Sequence, residues 1–109
     1  MATSANLALG LDFGTESVRA LLVDLKGTER GSAVAAYKHG QILEALPGSG
    51  RKLPTSYALQ DPHDWLDSAA HAVQSAVRQA KVRPSDIVGI GVDFTSCTML
   101  PTLRDGTPL

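Results

Sequence analysis

Apolar positions along the chain follow the period of β-strands in four places. The pattern predicts strands at residues 7–12, 18–25, 32–37 and 87–93. Short turns separate the first three strands, so they are expected to form an antiparallel meander. The fourth strand follows a helix, and a helical crossover favours a right-handed return parallel to the first strand.

Between the third and fourth strands the pattern changes to that of a helix. Asp61 is suited to the N-cap, Pro62 to the first helical position and Asp64 to the positive end of the helix dipole. The helix is predicted to reach about Ala80. Its buried face is predicted from apolar residues at helical spacing, namely Trp65, Ala69, Val73, Ala76, Val77 and Ala80. The resulting β-β-β-α-β order predicts an α/β fold.

Two other segments have less regular patterns. Residues 40–56 are predicted to form a long loop, and residues 97–102 a fifth strand. Asp105-Gly106 is a hairpin signal in which both residues are expected to have positive φ. A partner strand is expected after this turn, so the sequence is expected to be cut short at Leu109.

Composition narrows the classes of function. The 109 residues suit one small domain, and a formal net charge of −1 offers no basic surface for nucleic acid or anionic lipid. No apolar run reaches transmembrane length, and the N-terminus lacks the features of a signal peptide. The single cysteine, Cys97, excludes an internal disulfide and is expected to be a buried apolar residue in a cytoplasmic protein.

The first strand ends in a candidate phosphate-binding turn, Gly-Leu-Asp-Phe-Gly-Thr-Glu-Ser-Val-Arg at residues 10–19. A tight Gly14-Thr15 turn presents backbone N–H groups to an anion, and Asp12 can hold a hydrated Mg²⁺ against that anion. Arg19 offers a guanidinium for phosphate. A simpler interpretation is a plain hairpin turn, with Arg19 as a surface charge or paired with Asp24 or Glu16.

The fourth strand ends similarly, in Asp93, Phe94, Thr95 and Ser96. Ligands of α/β sheets collect beyond strand ends, and hydroxyl groups suit a sugar or water. The alternative is an ordinary strand-to-turn junction. The three histidines are scattered without metal-ligand spacing, and Trp65 is expected in the core.

Longer motifs carry a resemblance to a known family. The turn at residues 10–20 has Phe13 where many family members have Gln, and it is joined by Tyr-Lys-His-Gly at 37–40, Ala-Leu-Gln-Asp-Pro at 58–62 and the segment at 90–101. Together they resemble the N-terminal end of the FGGY family of carbohydrate kinases, in the group that acts on ribulose. Glycerol kinases have an Arg-Glu pair in the last segment, where this chain has Phe94-Thr95.

The resemblance implies an RNase-H-like, actin-type ATPase fold, in which two such domains enclose an active site that uses MgATP to phosphorylate a sugar. For the ribulose group it implies ribulose 5-phosphate as product, in arabinose catabolism. It places Asp12 at Mg²⁺, with Gly14, Thr15 and Arg19 toward the ATP phosphates and residues 93–96 toward the sugar. The catalytic aspartate base and the adenosine site are expected later in the family's sequences. Residues 1–109 are therefore expected to be part of the N-terminal domain, without a catalytic residue and inactive alone.

Three rival interpretations remain open. The chain could come from another pentulose or polyol kinase of the family. It could belong to an actin-like or chaperone-type ATPase, which shares the Asp-x-Gly-Thr turn, or it could be a non-catalytic remnant that binds a partner. The sequence predicts no oligomeric state.

Overall fold

The computed structural model describes residues 6–96 and 98–109, which form a four-stranded sheet with one long helix on one face. The strands and helices are β1 Leu7–Phe13, β2 Ser17–Asp24, β3 Glu29–Ala36, α1 Pro62–Ala80, a 3₁₀ turn Pro84–Asp86, and β4 Ile87–Phe94. None of the helical segments in these ranges combines the length and apolar content that crossing a bilayer requires.

The sheet has the order β3-β2-β1-β4. Strands β1 and β2, and β2 and β3, pair antiparallel, whereas β4 pairs parallel with β1. The predicted meander and parallel return are therefore confirmed. Leu9 lies opposite Leu22 on one side and Ile90 on the other, so apolar side chains of β2, β1 and β4 share the face on which α1 packs.

Helix α1 packs on β2 and β3 through small residues. Its buried residues are Asp64, Ser68, Ala72 and Ala76. The predicted residues do pack against the core, but the centre of the contact lies about one position away from them, since Ala76 is the only predicted member that is fully buried. Small side chains allow a close approach. A Cβ on Gly31 of β3 would lie only 2.6 Å from the Ala76 carbonyl oxygen. Larger side chains such as Trp65, Val73 and Val77 pack beside this line of contact and stay partly buried.

The long loop is more ordered than predicted. Isolated antiparallel bridges pair Ile42 with Leu59 and Ala45 with Lys52. Backbone hydrogen bonds from Leu46 N to Arg51 O and from Leu53 N to Glu44 O continue the same pairing. The segment therefore doubles back on itself as a narrow hairpin-like excursion, because Gly48 and Gly50 adopt the positive φ that its tip requires.

The predicted fifth strand does not form over residues 98–102. Thr102 makes one isolated bridge, to Pro108. Cys97 lies outside the described residues, so the structure does not test the prediction that its side chain is buried. The predicted turn is present: Leu103 N donates to Thr107 O at 2.8 Å, and Gly106 has a φ of 89°. Asp105 does not have the positive φ expected of it, and its side chain instead accepts the Thr107 N–H. A short return pairing thus follows the turn within this chain.

The start of α1 gives a first testable prediction. Asp61 accepts a hydrogen bond from His63 N at 3.0 Å, and this bond is the main cause that holds the pKa of Asp61 below its usual value. A carboxyl with a lowered pKa stabilises the fold above the unfolded pKa of about 3.9, and this contribution is lost as the pH falls through the folded pKa. We expect Asp61→Ala to lower the free energy of unfolding by about 1 kcal/mol at pH 7.

Urea unfolding at pH 7 and at pH 3 measures this effect. The difference between the Asp61→Ala variant and the unmodified chain should shrink at pH 3, because the contribution of a carboxyl with a lowered pKa declines once the pH falls below the unfolded value of about 3.9. Asp67→Ala is the matched control, because Asp67 is an exposed carboxylate on the same helix. An equal loss at both pH values would contradict the capping role of the Asp61 carboxylate.

Candidate functional site

Three charged side chains occupy one row across the sheet. Asp12 of β1 lies directly opposite Arg19 of β2 and, on its other side, opposite Asp93 of β4. Cross-strand neighbours share a face of the sheet, with Cβ atoms about 5 Å apart. Since Leu9 and Leu11 face α1, alternation along β1 puts Asp12 on the opposite face. All three side chains are exposed, so the row is open to a ligand.

The row fits a divalent cation beside an anion. Two carboxylates on neighbouring strands supply the oxygen ligands that Mg²⁺ prefers, and a guanidinium binds phosphate in a planar, bidentate manner. Among the described residues, Asp12 has no side-chain hydrogen bond or ion pair, so its oxygens are available. Asp24 does not pair with Arg19: it lies 3.7 Å from Arg30 instead.

The turn between β1 and β2 is held by its carbonyl groups. The hydrogen bonds run from Thr95 N to Phe13 O at 3.1 Å, Gln60 Nε2 to Thr15 O at 3.4 Å, Tyr37 N to Glu16 O at 2.9 Å and Gly14 N to Ser17 O at 2.8 Å. The donors come from the end of β4, the segment before α1, the end of β3 and the turn itself. The turn is therefore fixed from several sides.

The N–H groups of the turn divide into two kinds. The Gly14 N–H is used within the turn, whereas those of Thr15 and Glu16 have no acceptor in the parts of the chain that the structure describes. Successive free N–H groups in a turn form a concave anion site. Of the predicted phosphate-binding residues, Thr15 thus has a free backbone donor in the described chain, and Gly14 allows the tight turn, since a Cβ there would lie 3.2 Å from the Ser17 carbonyl oxygen.

A cavity of about 360 Å³ lies beside the turn, on the α1 face. Aromatic rings dominate its lining, with a few polar groups: Phe13, Tyr37, Trp65, Phe94, Gln60 and Thr95. The Tyr37 hydroxyl is buried and has no hydrogen-bond partner among the described residues. Burial, and then the negative charge of Asp12, raise the pKa of Tyr37, so its phenol stays protonated and able to donate.

The residues at the end of β4 are split between the two faces of the sheet. Asp93 joins Asp12 in the charged row, whereas Phe94 and Thr95 line the cavity on the α1 face. Thr95 also donates from its hydroxyl to Phe13 O at 3.3 Å. Ser96 is exposed beyond the strand. The predicted sugar-side residues 93–96 (the sugar wall) thus surround the end of β4, and they face the cavity on one side and the charged row on the other.

Sequence reasoning missed a cluster at the start of α1. His39 Nδ1 lies 3.0 Å from Asp64 Oδ1 and 3.5 Å from Asp61 Oδ2, and His39 N donates to Asp64 Oδ2 at 2.9 Å. Asp64 is only 4% exposed. The ring nitrogen and the carboxylates already satisfy one another, so we interpret the cluster as a structural tie between the segment after β3 and α1. The sequence spacing of the histidines does not reveal this cluster, because His39 and Asp64 are 25 residues apart and meet only in the fold.

Comparison with known proteins supplies the family. The profile of the FGGY family of carbohydrate kinases, N-terminal domain, matches residues 7–101. The chain belongs to this family. The match covers the phosphate-type turn, the charged row and the wall at the end of β4, and it confirms the family identified from the residues.

Relatives and a solved structure agree with this placement. A ribulokinase from Anoxybacillus flavithermus is 48% identical over 101 residues, and one from Mycolicibacterium smegmatis is 50% identical over 103; each match covers 93% of this chain and 18% of the relative. A crystal structure described as a xyloylose kinase from Brucella ovis superposes with a TM-score of 0.73 at 24% identity, over 94% of this chain and 19% of that one. This likeness shows that the two chains share a fold. The chain spans a little under a fifth of the length of these relatives.

Proposed function

We propose that this chain is the N-terminal part of an ATP-dependent sugar kinase that converts ribulose to ribulose 5-phosphate in arabinose catabolism, in the cytoplasm. The observation that carries the proposal is the Arg19–Asp12–Asp93 row beside a turn with two free N–H groups. Membership of the FGGY family and the ribulokinase names of the relatives support the choice of reaction and sugar. These residues would form part of an N-terminal domain that faces a second domain across the active-site cleft.

The charged row is proposed to bind MgATP. The Asp12 carboxylate would hold Mg²⁺ through its water shell, and the Thr15 N–H and Arg19 would contact the phosphates. When bound, Mg²⁺ neutralises charge on the transferring phosphoryl group. Asp12 would orient the cation, and the hydrogen bonds to the turn's carbonyls would keep its N–H donors in place before the nucleotide binds. Such preorganised donors lower the cost of reorganisation during transfer.

The wall at the end of β4 is proposed to bind the sugar. At the strand end, Asp93 and the Ser96 hydroxyl would offer hydrogen bonds to a polyol from the side of the charged row, while the Thr95 hydroxyl and the Phe94 ring would face it from the cavity side. Asp93 lies beside Asp12 in the row, so a sugar held there would present a hydroxyl to the phosphoryl group. Holding acceptor and phosphate together accounts for much of the rate enhancement in such transfers. The general base is proposed to come from the second domain.

Steady-state kinetics of the full-length kinase test the proposed function. ADP release is followed by a coupled assay with ribulose, xylulose and glycerol as acceptors and MgATP as donor. We expect the highest kcat/KM with ribulose. A higher kcat/KM for another pentulose or a polyol would replace ribulose within the same family, and ATP hydrolysis that is independent of any acceptor would favour the actin-like ATPase alternative.

The 109-residue chain alone is expected to release no ADP in response to ribulose. It offers a phosphate turn and a sugar wall, whereas the family resemblance places the base and the opposite side of the cleft in other segments. Phosphoryl transfer requires all these groups at once. The same coupled assay on the purified chain checks this, with the full-length kinase as positive control. Ribulose-dependent turnover at kinase-like rates would show that the base lies within these residues.

A further inference from the structure

Gln60 links the phosphate-type turn to helix α1. It lies just before the Asp61 N-cap, and its amide makes two hydrogen bonds. Trp65 Nε1 donates to Gln60 Oε1 at 2.8 Å, and Gln60 Nε2 donates to Thr15 O at 3.4 Å. An indole N–H can only donate, so it directs the amide oxygen of Gln60 toward Trp65 and the NH₂ group toward the turn.

The bond to Thr15 controls a specific peptide group. The Thr15 carbonyl and the Glu16 N–H belong to one planar peptide unit and point in opposite directions. Holding the carbonyl therefore fixes the direction of the Glu16 N–H, which is one of the two free donors of the turn. The Thr15 carbonyl has no backbone donor in the described ranges, whereas the Phe13, Glu16 and Ser17 carbonyls each have one. Among the described residues, the Gln60 side chain is thus the donor that fixes the orientation of the Thr15–Glu16 peptide.

We propose that Gln60 is a positioning residue for nucleotide phosphate: it holds the Thr15–Glu16 peptide so that the Glu16 N–H faces the anion, and Trp65 orients Gln60. The proposal rests on the proposed kinase function. It extends the phosphate site to a residue 45 positions beyond the turn, which nothing in the turn's own sequence indicates.

Variants can separate the two hydrogen bonds. Gln60→Glu keeps an acceptor for Trp65 but places a carboxylate oxygen against the Thr15 carbonyl, so it removes the second bond. Gln60→Leu removes both. Gln79→Leu is the matched control, because the Gln79 side chain also bonds to backbone, accepting from Ser32 N at 2.6 Å, at the far end of α1.

Kinetics of the full-length kinase provide the main readout. We expect Gln60→Glu and Gln60→Leu to raise the KM for MgATP about tenfold, as loss of a hydrogen bond to a charged ligand does, with the KM for ribulose within about twofold. Gln79→Leu should leave both KM values unchanged. An unchanged KM for MgATP, or equal rises in both KM values, would overturn the positioning role.

The indole N–H of Trp65 gives a readout independent of activity. Trp65 is the single tryptophan of the 109 residues, so its indole N–H gives one resonance in this chain. Its exchange with solvent should quicken in Gln60→Leu and stay slow in Gln60→Glu and Gln79→Leu. Equal exchange in all four proteins would show that the link does not form. A wild-type kinase that neither binds nor uses MgATP would overturn the proposed function instead, and the positioning role with it.

Discussion

Replacing Asp12 by alanine in the full-length kinase is expected to lower kcat by about a hundredfold to a thousandfold, which is the size of effect that loss of one preorganised charge-stabilising group produces. Asp12 stands at the centre of the charged row, between Arg19 and Asp93. Without its carboxylate the cation would lose the central one of the two carboxylates in the row during transfer. The KM for ribulose should stay within about threefold, because the sugar wall is at the end of β4.

Steady-state kinetics with varied ribulose and varied Mg²⁺ decide the role of Asp12. Asp67→Ala is the matched control, since it also removes one exposed carboxylate and lies on α1, outside the row. Asp12→Asn should be nearly as slow as Asp12→Ala, because an amide keeps the shape but loses the charge. A kcat within threefold of wild type in either Asp12 variant would refute the proposed anchoring of Mg²⁺.

Replacing Gly31 by valine is expected to destabilise the fold by about 3 kcal/mol, at the upper end of the usual cost of overpacking. An added Cβ would lie 2.6 Å from the Ala76 carbonyl oxygen and 3.1 Å from the Ala80 Cβ. The first contact is with backbone, so no side-chain rotation can relieve it. Helix α1 would have to move away from β3, which would open the contact made by Ala72 and Ala76.

Urea unfolding of Gly31→Val measures this cost. Gly89→Val is the matched control, because Gly89 also lies in a strand but its added Cβ would meet nothing within 4 Å. Valine is favoured over glycine in strands, so the control should be neutral or slightly stabilising. Similar losses in the two variants would mean that the packing of α1 on β3 is looser than the structure shows.

Most elements of the fold could be predicted from local pattern. Helix α1 runs from Pro62 to Ala80 as predicted, because Asp61 and Pro62 mark its start unambiguously. The third strand begins at Glu29, three residues earlier than predicted. Its first residues are polar and carry no strand signal of their own, and they are extended because Val23 of β2 pairs with Glu29. Pairing with β2 therefore sets the start of β3, and the local sequence pattern carries no information on such pairing.

The buried face of α1 shows a second limit. Apolar periodicity predicts that the larger apolar residues lie at the contact with the sheet, yet the centre of that contact is the row of Asp64, Ser68, Ala72 and Ala76. Close packing on β3 selects small side chains, and a buried aspartate is acceptable there because His39 satisfies it. Hydrophobic periodicity reports the apolar side of a helix, whereas the approach distance of the sheet determines which side chains lie at the centre.

The sequence by itself determined the strands and helix, the turn at residues 10–19 as a candidate phosphate site, and the FGGY family, because these depend on neighbouring residues and on motif spacing. Only the tertiary structure placed Asp12, Arg19 and Asp93 in one row and put Phe94 and Thr95 on the opposite face. It alone brought Gln60 to Thr15 and His39 to Asp64, across 45 and 25 residues. Strand register and the packing of α1 decide such contacts, and both depend on the chain as a whole.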